Sequence, residues 1–379
     1  NKMKAEREKY IVKTLKGLEQ VVKLELQERG INKCRVTNRA IEFHATKEQM
    51  YACNYHFRSA ISILKPMFSF TAKDENELYD KVKELEWEKI FGLDKTFAIS
   101  HSVSSDIFTH SQYISLKTKD AIVDRFRDKF NDRPNVDPKD PDIKLNLFIR
   151  GEKCQILLDS SGDPLFKRGY RKETNEAPLN EVLAAGLLSL SGWDKNSPLI
   201  DPMCGSGTIA IEAGMMLCNI PAGYYRTSFG FFNWEDFDID LWKKVINEAK
   251  EKIDIDKGIS ISGSDLAMRS VRMAQSNLRN TPELNRVIRF KVEDALEFSS
   301  REQNGTILIN PPYGERIYKD EVNVLYERFG NYLKENYKGF NLGVLTSNQE
   351  AMDLIDLEKT ESFELMNGSI DCNFQMFKV

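Results

Sequence analysis

Two short stretches of this sequence have residue types and spacings suited to chemistry. The first is Asp201-Pro202-Met203-Cys204-Gly205-Ser206-Gly207-Thr208, between an apolar strand ending Leu199-Ile200-Asp201 and an apolar helix Ile209–Leu217. Glycines let a backbone turn tightly and approach a ligand closely, and a helix start adds a local positive potential. A phosphate loop needs a lysine near Thr208, and none is present. A dinucleotide fingerprint wants a third glycine, where this chain has Ala210, and an acidic residue about twenty positions on. S-adenosylmethionine remains, because the loop need only admit its amino-acid moiety while carboxylates take the ribose and ammonium groups. Asp265, ending Ile261–Asp265, is expected to accept from the ribose hydroxyls and Asp294 from the adenine amine; the competing role for both is helix N-capping. Cys204 reads as a small apolar loop residue rather than a nucleophile.

The second stretch is Asn310-Pro311-Pro312-Tyr313, after the strand Thr306–Ile309. Open α/β sheets bind ligands at such strand ends. Two prolines fix the backbone and remove two N–H donors, which leaves carbonyl oxygens free to face a site. An exocyclic amine on a base is a poor nucleophile, since its lone pair is delocalised into the ring. The Asn310 side-chain oxygen and the Pro311 carbonyl can hold both N–H bonds and orient that lone pair for in-line methyl transfer. Tyr313 offers a ring on which the base can stack. The plainer alternative is an Asn-Pro turn. C5 methylation of a pyrimidine needs a cysteine adduct, and none lies within Asn310–Asp320, so nitrogen chemistry is favoured. The four histidines, His44, His56, His101 and His110, accompany no Ser or Cys nucleophile motif, and no metal is expected.

The elements that must position these turns follow from periodicity. From Ala177 onward strands and helices alternate as in a doubly wound α/β domain. Its strands are Leu199–Asp201, Ile259–Asp265, Val287–Val292, Thr306–Asn310 and Leu342–Thr346; its helices include Ile209–Leu217, Ala267–Arg279 and Glu321–Glu335. Glu361–Val379 reads as a hairpin turning near Asn367-Gly368, an antiparallel end to a mostly parallel sheet. Upstream, Tyr10–Thr14 (strand), Gly17–Arg29 (helix), Val36–Phe43 (one strand) and Lys47–Phe57 (helix) suit a ferredoxin-like module. Then come Ile63–Phe70, helix Glu75–Glu84, Thr96–Val103, helix His110–Phe130 and a hairpin of Leu145–Arg150 with Lys153–Asp159 about Gly151-Glu152. Domains are expected at 1–64, 65–165 and 166–379.

Composition narrows the setting. There is no run of eighteen apolar residues and no apolar stretch within Asn1–Tyr10, so neither a membrane span nor a secretory signal is expected. Six scattered cysteines argue for a reducing, cytoplasmic compartment. The net charge of −4 divides unevenly: residues 1–172 carry 33 basic and 26 acidic residues, the remainder 21 and 32. A basic half joined to an acidic half suggests that one holds a polyanion while the other does chemistry; uneven surface charge is the plainer account.

Taken together these residues resemble the THUMP-domain RNA methylases, especially the bacterial large-subunit ribosomal RNA guanine-N2 type. The likeness runs through Lys16–Glu19, Lys167–Arg171, Ala177–Glu181, Asp201–Thr208 with Ile211-Glu212-Ala213, and Asn310–Arg316. It implies an α/β chain: a ferredoxin-like part and a THUMP RNA-binding domain, both α+β, then a class I Rossmann-like methyltransferase fold. It also implies that Asp201, Gly205, Gly207, Asp265 and Asp294 meet the cofactor and that Asn310–Tyr313 meet the base. With their neighbours, the expected cofactor set is Asp201, Pro202, Cys204, Gly205, Ser206, Gly207, Thr208, Asp265, Leu266, Asp294, Ala295 and Asn310. The expected catalytic set is Asn310, Pro311, Pro312 and Tyr313. Lys167, Arg168 and Arg171, between the two halves, are expected to contact RNA phosphates; a solvated basic turn is the alternative. The aromatic stretch Pro221–Asp240 is either core, the favoured reading, or a base-stacking lid. The expected target is N2 of a guanosine in 23S ribosomal RNA. Some relatives carry a second methyltransferase domain, for which these 379 residues leave no room, so transfer RNA stays open. DNA adenine-N6 methylation, protein glutamine methylation and a non-enzymatic RNA-binding assembly role stay open as well.

Overall fold

The computed structural model describes residues 5–172, 178–314 and 318–379. Ala177 and Glu315-Arg316, from the sequence likeness, lie outside them. The N-terminal half contains β1 (Glu8–Lys13), α1 (Glu19–Glu28), β2 (Cys34–Thr37), β3 (Ala40–Ala45), α2 (Lys47–His56) and β4 (Ser62–Thr71). It continues with α3 (Glu75–Glu84), β5 (Phe97–Ser104), α4 (Ser111–Phe130), β6 (Ile143–Arg150) and β7 (Lys153–Asp159). The single strand expected over Val36–Phe43 is instead a hairpin, with Thr37 opposite Ala40 and Arg39 left-handed at φ 59°. Asn38-Arg39 contains no glycine, so the turn left little trace in the sequence.

All seven of these strands form one sheet, in the order β2-β3-β1-β4-β7-β6-β5. The join is β4, whose first residues pair with β1 while its length pairs with β7. The boundary expected at 64/65 therefore falls inside a strand that serves both sides.

The C-terminal half contains α5 (Glu181–Leu190), β8 (Leu199–Asp201), α6 (Thr208–Leu217), α7 (Ile239–Glu251), β9 (Ile261–Asp265) and α8 (Met268–Arg279). It ends with β10 (Ile288–Val292), β11 (Thr306–Ile309), α9 (Lys319–Asn336), β12 (Asn341–Thr346), α10 (Gln349–Met352), β13 (Glu358–Asn367) and β14 (Ile370–Lys378). Its sheet order is β10-β9-β8-β11-β12-β14-β13, parallel as far as β12 and antiparallel through the last two strands. The chain leaves β8 towards β9 and β10 on one side, then returns to place β11 on the other. The carboxyl ends of β8 and β11 thus flank the topological switch point, where such sheets open a crevice.

The aromatic side chains central to Pro221–Asp240 are core, the reading favoured from the sequence. Phe229, Phe231 and Trp234 are buried. They pack with α7 against α2 of the N-terminal half: Phe231 stacks on Tyr51 at 4.3 Å between ring centroids, and Trp242 meets Tyr55 edge-on at 5.2 Å. One apolar core thus draws side chains from both halves of the sequence.

Candidate active site at the β8 and β11 strand ends

The glycine loop is fixed by its own backbone and by the next strand. Gly205 and Gly207 take left-handed conformations, φ 51° and 83°, which side chains adopt only at a cost. A Cβ on Gly207 would stand 2.6 Å from the Phe290 ring, so the glycine also lets the loop lie against β10. Among the described residues, a Cβ on Gly205 would meet nothing within 4 Å. The Met203 N–H donates to Asp201 Oδ1 (3.1 Å), the Cys204 N–H to the Ser264 carbonyl (2.9 Å) and the Gly205 N–H to Asp265 Oδ2 (3.0 Å). Among the described residues no side chain caps the first turn of α6, which leaves its N–H donors to a ligand.

Burial pushes the Asp201 carboxyl up to about 8; the Met203 N–H opposes this and the Asp265 charge adds to it. Burial also pushes the Cys204 thiol far up, which agrees with an inert loop residue.

The loop and Asn310 line a single crevice with Asp201, Met203, Cys204, Ser206, Thr208 and Ile209. Pro178, Leu179, Arg269, Ser270 and Met273 complete it. The last three share one face of α8 at helical spacing, a pattern legible in the sequence once Asp265 is placed before that helix. The other expected cofactor residues, Pro202, Gly207, Asp265, Leu266, Asp294 and Ala295, are not among those that line it. Pro202 is buried, Leu266 is 69% exposed, and Ala295 packs into the core beneath α9. Asp265 also accepts from the Ala267 N–H (2.9 Å) and Asp294 from the Leu296 N–H (2.9 Å), the local turn bonds of the plainer reading. Each carboxylate keeps further lone pairs for a ligand.

The acceptor turn is held from outside. The Tyr326 hydroxyl donates to the Pro312 carbonyl (2.7 Å) and the Asn348 amide to the Tyr313 carbonyl (3.0 Å). The Tyr313 hydroxyl donates to Asn310 Oδ1 (2.5 Å) and accepts from the Asn367 amide (3.1 Å) at the β13–β14 turn. Tyr313 thus occupies the acceptor expected for the base amine, and burial raises its hydroxyl pKa. Among the described residues no donor reaches the Pro311 carbonyl.

One expectation is overturned. Arg168 is 2% exposed, with its guanidinium turned into the interior rather than to solvent. Its guanidinium donates to Glu212 Oε1 (2.8 and 3.2 Å), to the Leu165 carbonyl (3.0 Å) and to the Arg58 carbonyl (2.6 Å). The Tyr170 hydroxyl takes Glu212 Oε2 at 2.9 Å. A charge this deep persists only when paired and fully bonded. Arg171 turns to the glycine loop as well, donating to Ser206 Oγ (2.9 Å) and Thr208 Oγ1 (2.6 Å), with Glu181 at 3.5 Å from its Nε. Of the three, only Lys167 is exposed. The missed signal was Glu212: a carboxylate inside the apolar helix Thr208–Leu217 demands a buried cation.

This geometry has counterparts among known proteins. The RMKL-like methyltransferase domain matches residues 168–376, the THUMP domain residues 72–159 and the RlmL ferredoxin-like domain residues 9–64. The chain is 37% identical over 385 residues to the ribosomal RNA large subunit methyltransferase K/L of Psychromonas ingrahamii, covering 98% of itself and 50% of that protein. It therefore spans about half the length of this curated relative. The crystal structure of SMU.472 complexed with SAH is similar with a TM-score of 0.88 at 31% identity, over 99% of each chain. A predicted N6-adenine-specific DNA methylase from Listeria monocytogenes str. 4b F2365 gives 0.87 at 27% identity, over 99% of this chain and 97% of that one. With the methyltransferase match spanning more than half of its length, the chain belongs to the RMKL-like methyltransferase family and carries ferredoxin-like and THUMP domains ahead of the methyltransferase fold.

Proposed function

We propose that this protein is an S-adenosylmethionine-dependent RNA N-methyltransferase acting on the exocyclic N2 of a guanosine in 23S ribosomal RNA. The observation that carries this reading is the crevice shared by the glycine loop and Asn310 at the switch point. The residues fit the cofactor: Gly205 leaves room among the described residues, uncapped N–H donors suit a carboxylate, and Asp201 and Asp265 suit an ammonium and ribose hydroxyls. When bound there, S-adenosylmethionine supplies a methyl group activated on a sulfonium. Asn310 Oδ1 and the Pro311 carbonyl receive the two amine N–H bonds and aim the nitrogen lone pair, with the Tyr313 hydroxyl releasing Asn310 as the base arrives. The catalytic gain is positioning and fixed dipoles in a desolvated site.

The RNA reading draws on the THUMP match, the basic N-terminal half and the ribosomal relative. A cytoplasmic setting follows from that target; among the described residues no helix is long and apolar enough to cross a membrane. Asn-Pro-Pro-Tyr would serve a DNA adenine amine equally well, and one structural neighbour carries such a name. Labelled-methyl transfer to total RNA, DNA and protein in parallel separates these readings. Label in RNA at guanosine N2 is expected; label confined to DNA or protein would overturn the proposal.

A further inference from the structure

Arg168 and Arg171 face inward, which leaves Lys167 the one exposed residue of the three expected to meet RNA. A second cleft, about 360 Å³, lies between the N-terminal sheet and the tip of the β13–β14 hairpin. Lys13, Lys16, Arg39 and Lys144 line it, with Asp159 the one carboxylate among the described lining residues. Lys144 stands 3.9 Å from Asp159, so that charge is answered within the wall. Lys13, Lys16 and Arg39 are exposed, and among the described residues none has a carboxylate within 4 Å. Three unanswered cations in one concavity focus a positive potential on a protein whose net charge is −4.

The concavity is built. Gly17 takes φ +92°, and a Cβ there would collide with the Glu364 backbone, so only glycine lets the Lys16-Gly17 loop rest on β13. Arg39 occupies the left-handed turn position of its hairpin and donates to Met366 Sδ at 3.1 Å. Met366 and Gly368 form the cleft wall, and Asn367 between them bonds the Tyr313 hydroxyl, itself on Asn310. The same hairpin tip borders the cleft and the acceptor turn.

An enzyme that methylates a base amine must take the base out of its stack, so the strand around the target is locally single-stranded. We propose that Lys13, Lys16 and Arg39 hold the backbone phosphates of the RNA strand flanking the target nucleotide. This rests on the proposed RNA substrate and adds the path by which the strand enters.

The test is binding of a fluorescein-labelled single-stranded RNA oligonucleotide to the full chain across a salt series, with SAH titrated in parallel. Each single-strand phosphate contact contributes roughly 0.7 to the slope of log K against log salt. The triple variant K13Q/K16Q/R39Q should lose ~2 from that slope and weaken at least tenfold at low salt, with SAH affinity unchanged. The control K243Q/K250Q, on α7 and outside the cleft, should keep the parent slope. A triple variant with the parent's slope and affinity overturns the inference while leaving the RNA reading intact. A parent chain that binds SAH but no RNA overturns both.

Discussion

The glycine loop and the acceptor turn line one crevice but are held in different ways. The loop is tied into buried polar groups: Arg171 grips Ser206 and Thr208, while the Arg168–Glu212–Tyr170 cluster fixes the helix that follows. The turn is tethered by hydroxyls and amides from Tyr326, Asn348 and Asn367, and Asn310 is engaged by Tyr313. Rigid bracing suits a cofactor that returns in the same pose at every turnover. Exchangeable bonds suit a base that must displace one partner to bind.

If buried polar groups brace the loop, Arg168→Ala leaves Glu212 buried without its cation and should destabilise the fold by about 3–5 kcal/mol. Chemical denaturation measures this, and a loss under ~1 kcal/mol would contradict the buried pair. Asn310→Ala tests the other side. It should lower kcat by about 10²–10³ through lost transition-state positioning while SAH affinity changes little. Equal losses in both would assign Asn310 to the cofactor instead.

The glycine loop and the two ends of the sheet are readable because local pattern coincides with tertiary role. An apolar strand, two glycines and an apolar helix announce a ligand turn, and Asn367-Gly368 announces a hairpin. What escapes a reading of the sequence depends on partners far along the chain. Lys167–Arg171 looks like a solvated basic turn, yet its Arg168 pairs with Glu212, 44 residues on. Helix Glu181–Leu190 gives a weak signal because it is apolar all round and lacks an amphipathic stripe, whereas Ile239–Glu251 carries a stripe of Trp242, Val245 and Ala249 at helical spacing that the sequence does show. The fusion of seven strands into one sheet is a property of β4 pairing on both edges, which alternation along one strand does not reveal.

Two smaller effects sharpen the contrast. At pH 6 the Asp201 carboxyl, raised to about 8, holds a proton that it must release to pair with a ligand ammonium. SAH affinity should therefore climb between pH 6 and 8, by at most about tenfold per unit, and level off above that. Calorimetry in buffers of different ionisation enthalpy would register the proton; a flat profile, or one that Asp201→Asn leaves unchanged, removes this role. Arg171→Ala should weaken SAH binding by about tenfold, near the low end for a single charge-assisted bond because Arg171 acts through Ser206 and Thr208, without altering the salt dependence of RNA binding. The opposite pattern would return Arg171 to the RNA.

The rings at 229–242 bear on how such a protein can be re-engineered. They lie within the methyltransferase match but fill the interior of the other half. A chimaera that joins a foreign catalytic unit near residue 166 would leave Tyr51 and Tyr55 without their aromatic neighbours, and the excised unit would present those rings to water. Swapping specificity between relatives therefore requires the aromatic segment and α7 to travel with the N-terminal sheet, as a cassette that sequence order alone would not suggest.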